Sequence, residues 1–77
     1  MITVGCLACV VSKETDLFQS SGDDLLETGH VNNGDLVLVL ELDHVGDLDA
    51  KVVNDRGQMG WIYASKLDVV AVAPTYR

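Results

Sequence analysis

Apolar and polar positions alternate along this chain in short blocks, and the blocks are separated by Gly, Asn and Asp. The pattern is clearest from Gly34 onward. Gly34-Asp35 opens an apolar run from Leu36 to Leu42 that only Glu41 interrupts. A polar, acidic stretch from Asp43 to Asp49, centred on Gly46, separates it from the run Ala50 to Val53. Asn54-Asp55-Arg56-Gly57-Gln58 then leads to Gly60-Trp61-Ile62-Tyr63, Ala64-Ser65-Lys66-Leu67 and a last apolar segment, Asp68 to Val72. Runs of roughly four to eight residues, rich in Val and Leu and ended by turn formers, predict a meander of short antiparallel strands.

A strand's period of two places Val37 and Val39 inward and Leu36, Leu38 and Leu40 on the opposite face. Three leucines are too many for open solvent. Either a loop covers them, or they form an apolar patch for a second subunit. Ala50 and Val52 are expected inward. Gly57 supplies the positive φ that a hairpin loop over Asn54 to Gln58 needs. Ala64 to Leu67 predicts one 3₁₀ turn before the last strand. Pro74 ends the domain, which gives a single unit over residues 1–73 and a tail over 74–77.

The first third is less regular. Ile2 to Val11 is almost continuously apolar and predicts a first strand covered on both faces, with Gly5 marking a bulge or a close approach. In Ser12 to Asn33, charged residues mix with Leu17, Phe18, Leu25 and Leu26 around the turn signal Ser20-Ser21-Gly22-Asp23-Asp24. One reading is a long irregular hairpin loop with Phe18 and a leucine as anchors. The other is a short helix from Asp23 to Glu27 capped by Ser21 or Asp23. The loop is favoured, because a helix this short does not stand alone. A loop of that length is uncommon without a function, so it is a natural place to look for contacts.

Composition narrows the function classes. The 77 residues allow one domain, and hydrophobic residues make up 48% of them, enough for one core. Twelve Asp and Glu against five Lys and Arg give a net charge of −7. Scattered basic residues cannot form the patch that displaces counterions from phosphates, so nucleic acid is not expected as a partner. An acidic surface steers basic proteins towards it, and it also keeps a small protein soluble. Met1-Ile2-Thr3-Val4 lacks a basic export signal, and Cys6 to Val11 is too short to span a membrane. With only two cysteines, the expectation is reduced thiols in a cytoplasmic protein with no membrane partner.

Candidate chemistry is sparse. Cys6-Leu7-Ala8-Cys9 is a C-x-x-C pair, but on a strand residues three apart face opposite sides, so the sulfurs do not meet. No second pair completes a zinc site, and His30 and His44 lack the spacing to do so. Glu41, Asp43, Asp47 and Asp49 are not spaced as a calcium loop. No nucleophile is coupled to a base and no glycine-rich phosphate loop precedes a helix. The expectation is a non-enzyme with no cofactor and no metal.

The succession of strand, long loop, Gly-Asp and strand, short loop, hairpin, one-turn helix and strand resembles the SH3 fold. Gly34-Asp35-Leu36-Val37-Leu38-Val39-Leu40-Glu41 is similar to the Gly-Asp start of that family's second strand. Lys51-Val52, Gly57 and Gly60-Trp61-Ile62 resemble the bacterial SH3-like pattern of a Lys-Val strand, a glycine turn and Gly-Trp-Val. Ala64-Ser65-Lys66-Leu67 resembles the closing helical turn, with Leu67 at its buried aliphatic position. The resemblance implies an all-β, five-stranded SH3-like barrel with a long loop after strand 1 and one 3₁₀ turn before the last strand. It departs from the proline-binding domains, since Leu48-Asp49 stand where a tryptophan would be and Tyr63 and Lys66 occupy the proline and tyrosine positions. A polyproline helix docks on parallel aromatic ridges, and that groove is incomplete here.

The function this supports is a non-catalytic protein-interaction module with an acidic surface. Its candidate partner-binding residues are Trp61, Tyr63 and Phe18 with Asp16, Asp23, Asp24, Asp47 and Asp49, and charge favours a basic protein as the partner. A second reading is a small structural or assembly component, of the kind a phage encodes, that self-associates through Leu36, Leu38 and Leu40. A third, resting on charge alone, is an acidic mimic of DNA.

Overall fold

Val37 and Val39 point into the interior while Leu36 and Leu38 point away from it, and the same alternation repeats on the strands around them. The computed structural model describes residues 2–13, 15–21, 24–43 and 49–72. Within them are seven strands: β1 Leu7–Val10, β2 Thr15–Ser21, β3 Asp24–Val31, β4 Leu36–Asp43, β5 Asp49–Asn54, β6 Met59–Tyr63 and β7 Leu67–Ala71. A 3₁₀ turn, Ala64–Lys66, joins β6 to β7. The described residues are thus all-β apart from one short turn. All strands belong to one antiparallel sheet in the order β3-β2-β6-β5-β4-β1-β7, with β3 and β7 at its two edges. Among the described residues no helix is long and apolar enough to cross a membrane.

The core is made of small side chains. Cys6, Ala8, Val10, Leu17, Val31, Val37, Val39, Ala50, Val52, Ile62 and Leu67 are buried together, with Ile2, Leu42 and Val69 packed on their margin. Leu17 is the largest fully buried residue. A core this lean leaves little spare stability, so losing one Leu or Ile side chain costs about 2–5 kcal/mol. That is a large share of the roughly 4–11 kcal/mol expected for a domain of this size.

Several expectations need correction. The sheet has seven strands where five were expected. The extra two come from residues 12–33, which form neither an irregular loop nor a helix beginning at Asp23. They fold as the hairpin β2–β3, paired from Thr15–Val31 to Ser21–Asp24. Thr15, Leu17, Gly29 and Val31 are buried at its base, so the alternation that marks a strand is expressed there over only two positions on each strand. The first strand is also shorter than Ile2 to Val11. Gly5 adopts φ +86° in a turn closed by Cys6 N–H donating to Thr3 O, and its own N–H donates to Val39 O at 2.7 Å. Val4 is consequently exposed and the strand starts at Leu7.

Other turns follow the sequence closely. Gly34 has φ +93°, and the Asp35 carboxylate accepts from Asn32 N–H at 2.8 Å, which reverses the chain into β4. Between β5 and β6, Gly57 has φ +79° and the Asn54 Oδ1 accepts from the N–H groups of Arg56 and Gln58 at 3.0 and 2.9 Å. Residues 44–48 of the acidic stretch, including His44 and Asp47, lie outside the described residues, as do Asp23 and the 74–77 tail.

Candidate functional site: an aromatic and acidic cleft beside β6

Strand β6 positions the site because its sequence alternates. Gly60 and Ile62 are buried, while Met59, Trp61 and Tyr63 face outward, Trp61 only in part. A strand with a residue as large as Trp on its outer face needs a neighbour to lean on, and the β2–β3 hairpin supplies it. Phe18 is the direct cross-strand partner of Trp61 where β2 meets β6. Two aromatic rings on adjacent strands favour edge-to-face or offset packing.

Gly60 permits this approach. A Cβ at that position would lie 2.9 Å from the Cβ of Leu17 and 3.1 Å from the backbone N of Phe18, and closer still to the Thr28 hydroxyl. Thr28 sits at a bulge, because Leu17 pairs with Gly29 and Phe18 with Glu27. Its hydroxyl donates to Met59 O at 2.6 Å and tacks the hairpin to β6. A second tie comes from Arg56, whose Nη2 donates to His30 O at 3.0 Å.

The result is an open cleft of about 380 Å3 lined by Thr15, Asp16, Phe18, Asp49, Trp61, Ile62, Tyr63 and Lys66. Asp49 lies opposite Tyr63 across β5–β6, and Lys51 lies opposite Trp61. Lys66, at the end of the 3₁₀ turn, donates from Nζ to Thr15 Oγ1 at 2.9 Å. Its ammonium is 6.0 Å from the centre of the Tyr63 ring, the outer limit of a cation–π contact. The cleft thus combines three aromatic faces, two carboxylates and one ammonium. It is suited to holding an apolar side chain against the rings and a cationic one at the carboxylates.

Five of the residues singled out from the sequence, Trp61, Tyr63, Phe18, Asp16 and Asp49, meet in this cleft. The backbone of Asp24 pairs with Ser21 at the tip of the hairpin. Asp23 and Asp47 are outside the described residues. Thr15, Ile62 and Lys66 were not singled out as site residues. Lys66 was visible only as part of the expected 3₁₀ turn from Ala64 to Leu67. Thr15 carried no signal, since its position depends on a hairpin that the sequence pattern did not reveal.

The leucines proposed for self-association lie elsewhere. Leu36 and Leu38 are 48% and 41% exposed on β4, and β4 is flanked by β1 and β5, so the hairpin does not cover them. Leu40 falls at a bulge between Val39 and Glu41, and is half-buried. Cys6 is buried and Cys9 half-buried, both as free thiols. Among the described residues no group of three or more His, Cys, Asp and Glu is placed to hold a metal ion. No protein-family model matches the chain, and neither a curated protein nor a solved structure does.

Proposed function

We propose that the chain is a five-stranded SH3-like barrel acting as a non-catalytic protein-interaction module. In this reading β1, β4, β5, β6 and β7 are the barrel strands, and the β2–β3 hairpin is the arm that replaces the expected long loop. The Gly34-Asp35 turn, the Gly57 hairpin and the 3₁₀ turn ahead of a buried Leu67 support it. The observation that carries the function is the meeting of Phe18, Trp61 and Tyr63 with Asp16 and Asp49 in one open cleft. Its partner is a protein segment that lays an apolar side chain on the rings and places a basic one at the two carboxylates.

The test is selection of peptides from a displayed random library on the full chain, followed by calorimetry with the selected sequences. Truncating buried aromatic anchors typically costs about 2 kcal/mol or more, so W61A/Y63A should weaken binding at least about thirtyfold. D16N/D49N should remove most of the salt dependence for basic peptides. Circular dichroism establishes that each variant is folded. Selected peptides that bind W61A/Y63A as well as the native chain would reject this cleft.

A further inference from the structure

The outer surface of the sheet carries a second feature, in the row next to the one that holds Trp61. Register places Leu7 opposite Leu38, Leu38 opposite Val53, and Val53 opposite Met59. These four apolar residues form one row across β1, β4, β5 and β6. Cys9 and Leu36 pair in the adjoining row. Val70, on the β7 bulge beside Leu7, extends the patch and is 57% exposed. Leu36, Leu38 and Met59 are between 41% and 48% exposed, so the row faces solvent.

Charge is what distinguishes this patch. The chain carries −7 overall, yet among the described residues the row Leu7, Leu38, Val53 and Met59 holds no carboxylate. The nearest charges are at the borders: Asp68, which pairs with Cys9, and Glu41, whose carboxylate is 3.3 Å from Lys51 Nζ. A basic partner would be drawn to carboxylates, and this face offers none in its middle. Among the described residues, this row is a region where two copies of an acidic protein bring no carboxylates face to face.

We propose that this face docks a second copy of the chain, row against row, about a two-fold axis. A two-fold contact uses the same patch on both copies, and an apolar row laid on its own image is self-complementary. The exposed fractions correspond to roughly 400 Å2 of apolar surface per copy, about half the area per partner of a standard stable interface. That sets the expected strength: a reversible dimer with a dissociation constant of roughly 10 μM to 1 mM. Its salt dependence is inverted relative to a charge-driven complex, because salt screens the repulsion between two copies of charge −7.

Sedimentation equilibrium of the full chain tests this, run from about 10 μM to about 1 mM protein at roughly 20 and 500 mM salt. The dimer should form within that range and tighten at the higher salt. L38K places a charge at the centre of the row, and L38T removes apolar area while keeping a strand-compatible side chain. Because each substitution counts twice in a two-fold contact, L38K should weaken association by about a hundredfold or more and L38T by about tenfold. Y63A, a cleft substitution two positions further along β6 than Trp61, should leave association unchanged, which separates this row from the cleft. A monomer throughout the range, a dimer that weakens with salt, or a dimer indifferent to both Leu38 variants in folded protein would overturn the proposal.

Discussion

Replacing Gly60 by alanine tests how the cleft is built, because this one position holds β2 against β6. The substitution adds a single methyl group. It would sit 2.9 Å from Leu17 Cβ and 3.1 Å from the Phe18 backbone N, with the Thr28 hydroxyl nearer still. Two of these neighbours cannot swing aside: one is backbone, and the other belongs to the largest fully buried side chain in the core. The hairpin must therefore lift, and overpacking of this kind costs about 1–3 kcal/mol. An opposing term exists. Gly60 does not have a positive φ, so alanine is compatible with its backbone and restricts the unfolded chain, a gain of about 0.4–1 kcal/mol. The net expectation is a loss of about 1–2 kcal/mol, or a fall in Tm of about 5–15 °C for a domain of this size. Urea denaturation followed by far-ultraviolet circular dichroism gives the stability. Fluorescence of Trp61, the only tryptophan, reports on the cleft, because lifting the hairpin separates Phe18 from it. A G60A variant as stable as the native chain, with unchanged native fluorescence, would refute the argument that this glycine is required by close approach.

Two further substitutions probe the frame around the cleft. Asn54 is buried, accepts from two backbone N–H groups of its hairpin loop and donates through Nδ2 to Gln58 Oε1 at 2.8 Å. N54A removes these bonds from a turn whose residues 55–57 are exposed and should cost about 1–2 kcal/mol in chemical denaturation; a loss below about 0.5 kcal/mol would mean water replaces the side chain freely. The Glu41–Lys51 pair, with side chains 60% and 32% exposed, should contribute little to stability, and E41Q should change it by less than about 0.5 kcal/mol. A larger loss in the same measurement would show that this ion pair is coupled to the bulge at Leu40.

The parts of the fold legible in the sequence are those where periodicity runs over a whole strand. In β4, Val37 and Val39 face in and Leu36 and Leu38 face out, and in β5 and β6 the alternation covers every residue. The turns at Gly34 and Gly57 were legible because each needs a backbone conformation that few other residues adopt. Leu40 was misplaced by the same logic, since a bulge inserts a residue that the period does not count. The β2–β3 hairpin was missed for a different reason. Its base is buried, but Asp16, Phe18, Leu26 and Glu27 are exposed on its arms, so its strands are held by pairing with each other more than by burial. A hydrophobicity pattern records burial and says little about a ladder that projects past the core.

That difference also explains which half of the candidate site could be read in advance. Trp61, Tyr63 and Asp49 lie on strands β5 and β6, whose alternation puts them outward without further information. Phe18 and Asp16 were picked for their chemistry in a segment of unknown form, and it is the hairpin that brings them to the cleft. The joining elements are small: a glycine with no room for a side chain, a threonine hydroxyl bonded across to β6, and a lysine reaching back to Thr15. None of the three has a hydropathy signature, since each acts through distance between segments far apart in the chain. The cleft is therefore a property of how the hairpin is seated. A change at Gly60 or Thr28 should disturb partner binding as much as a change at an aromatic residue, although neither side chain lines the cleft.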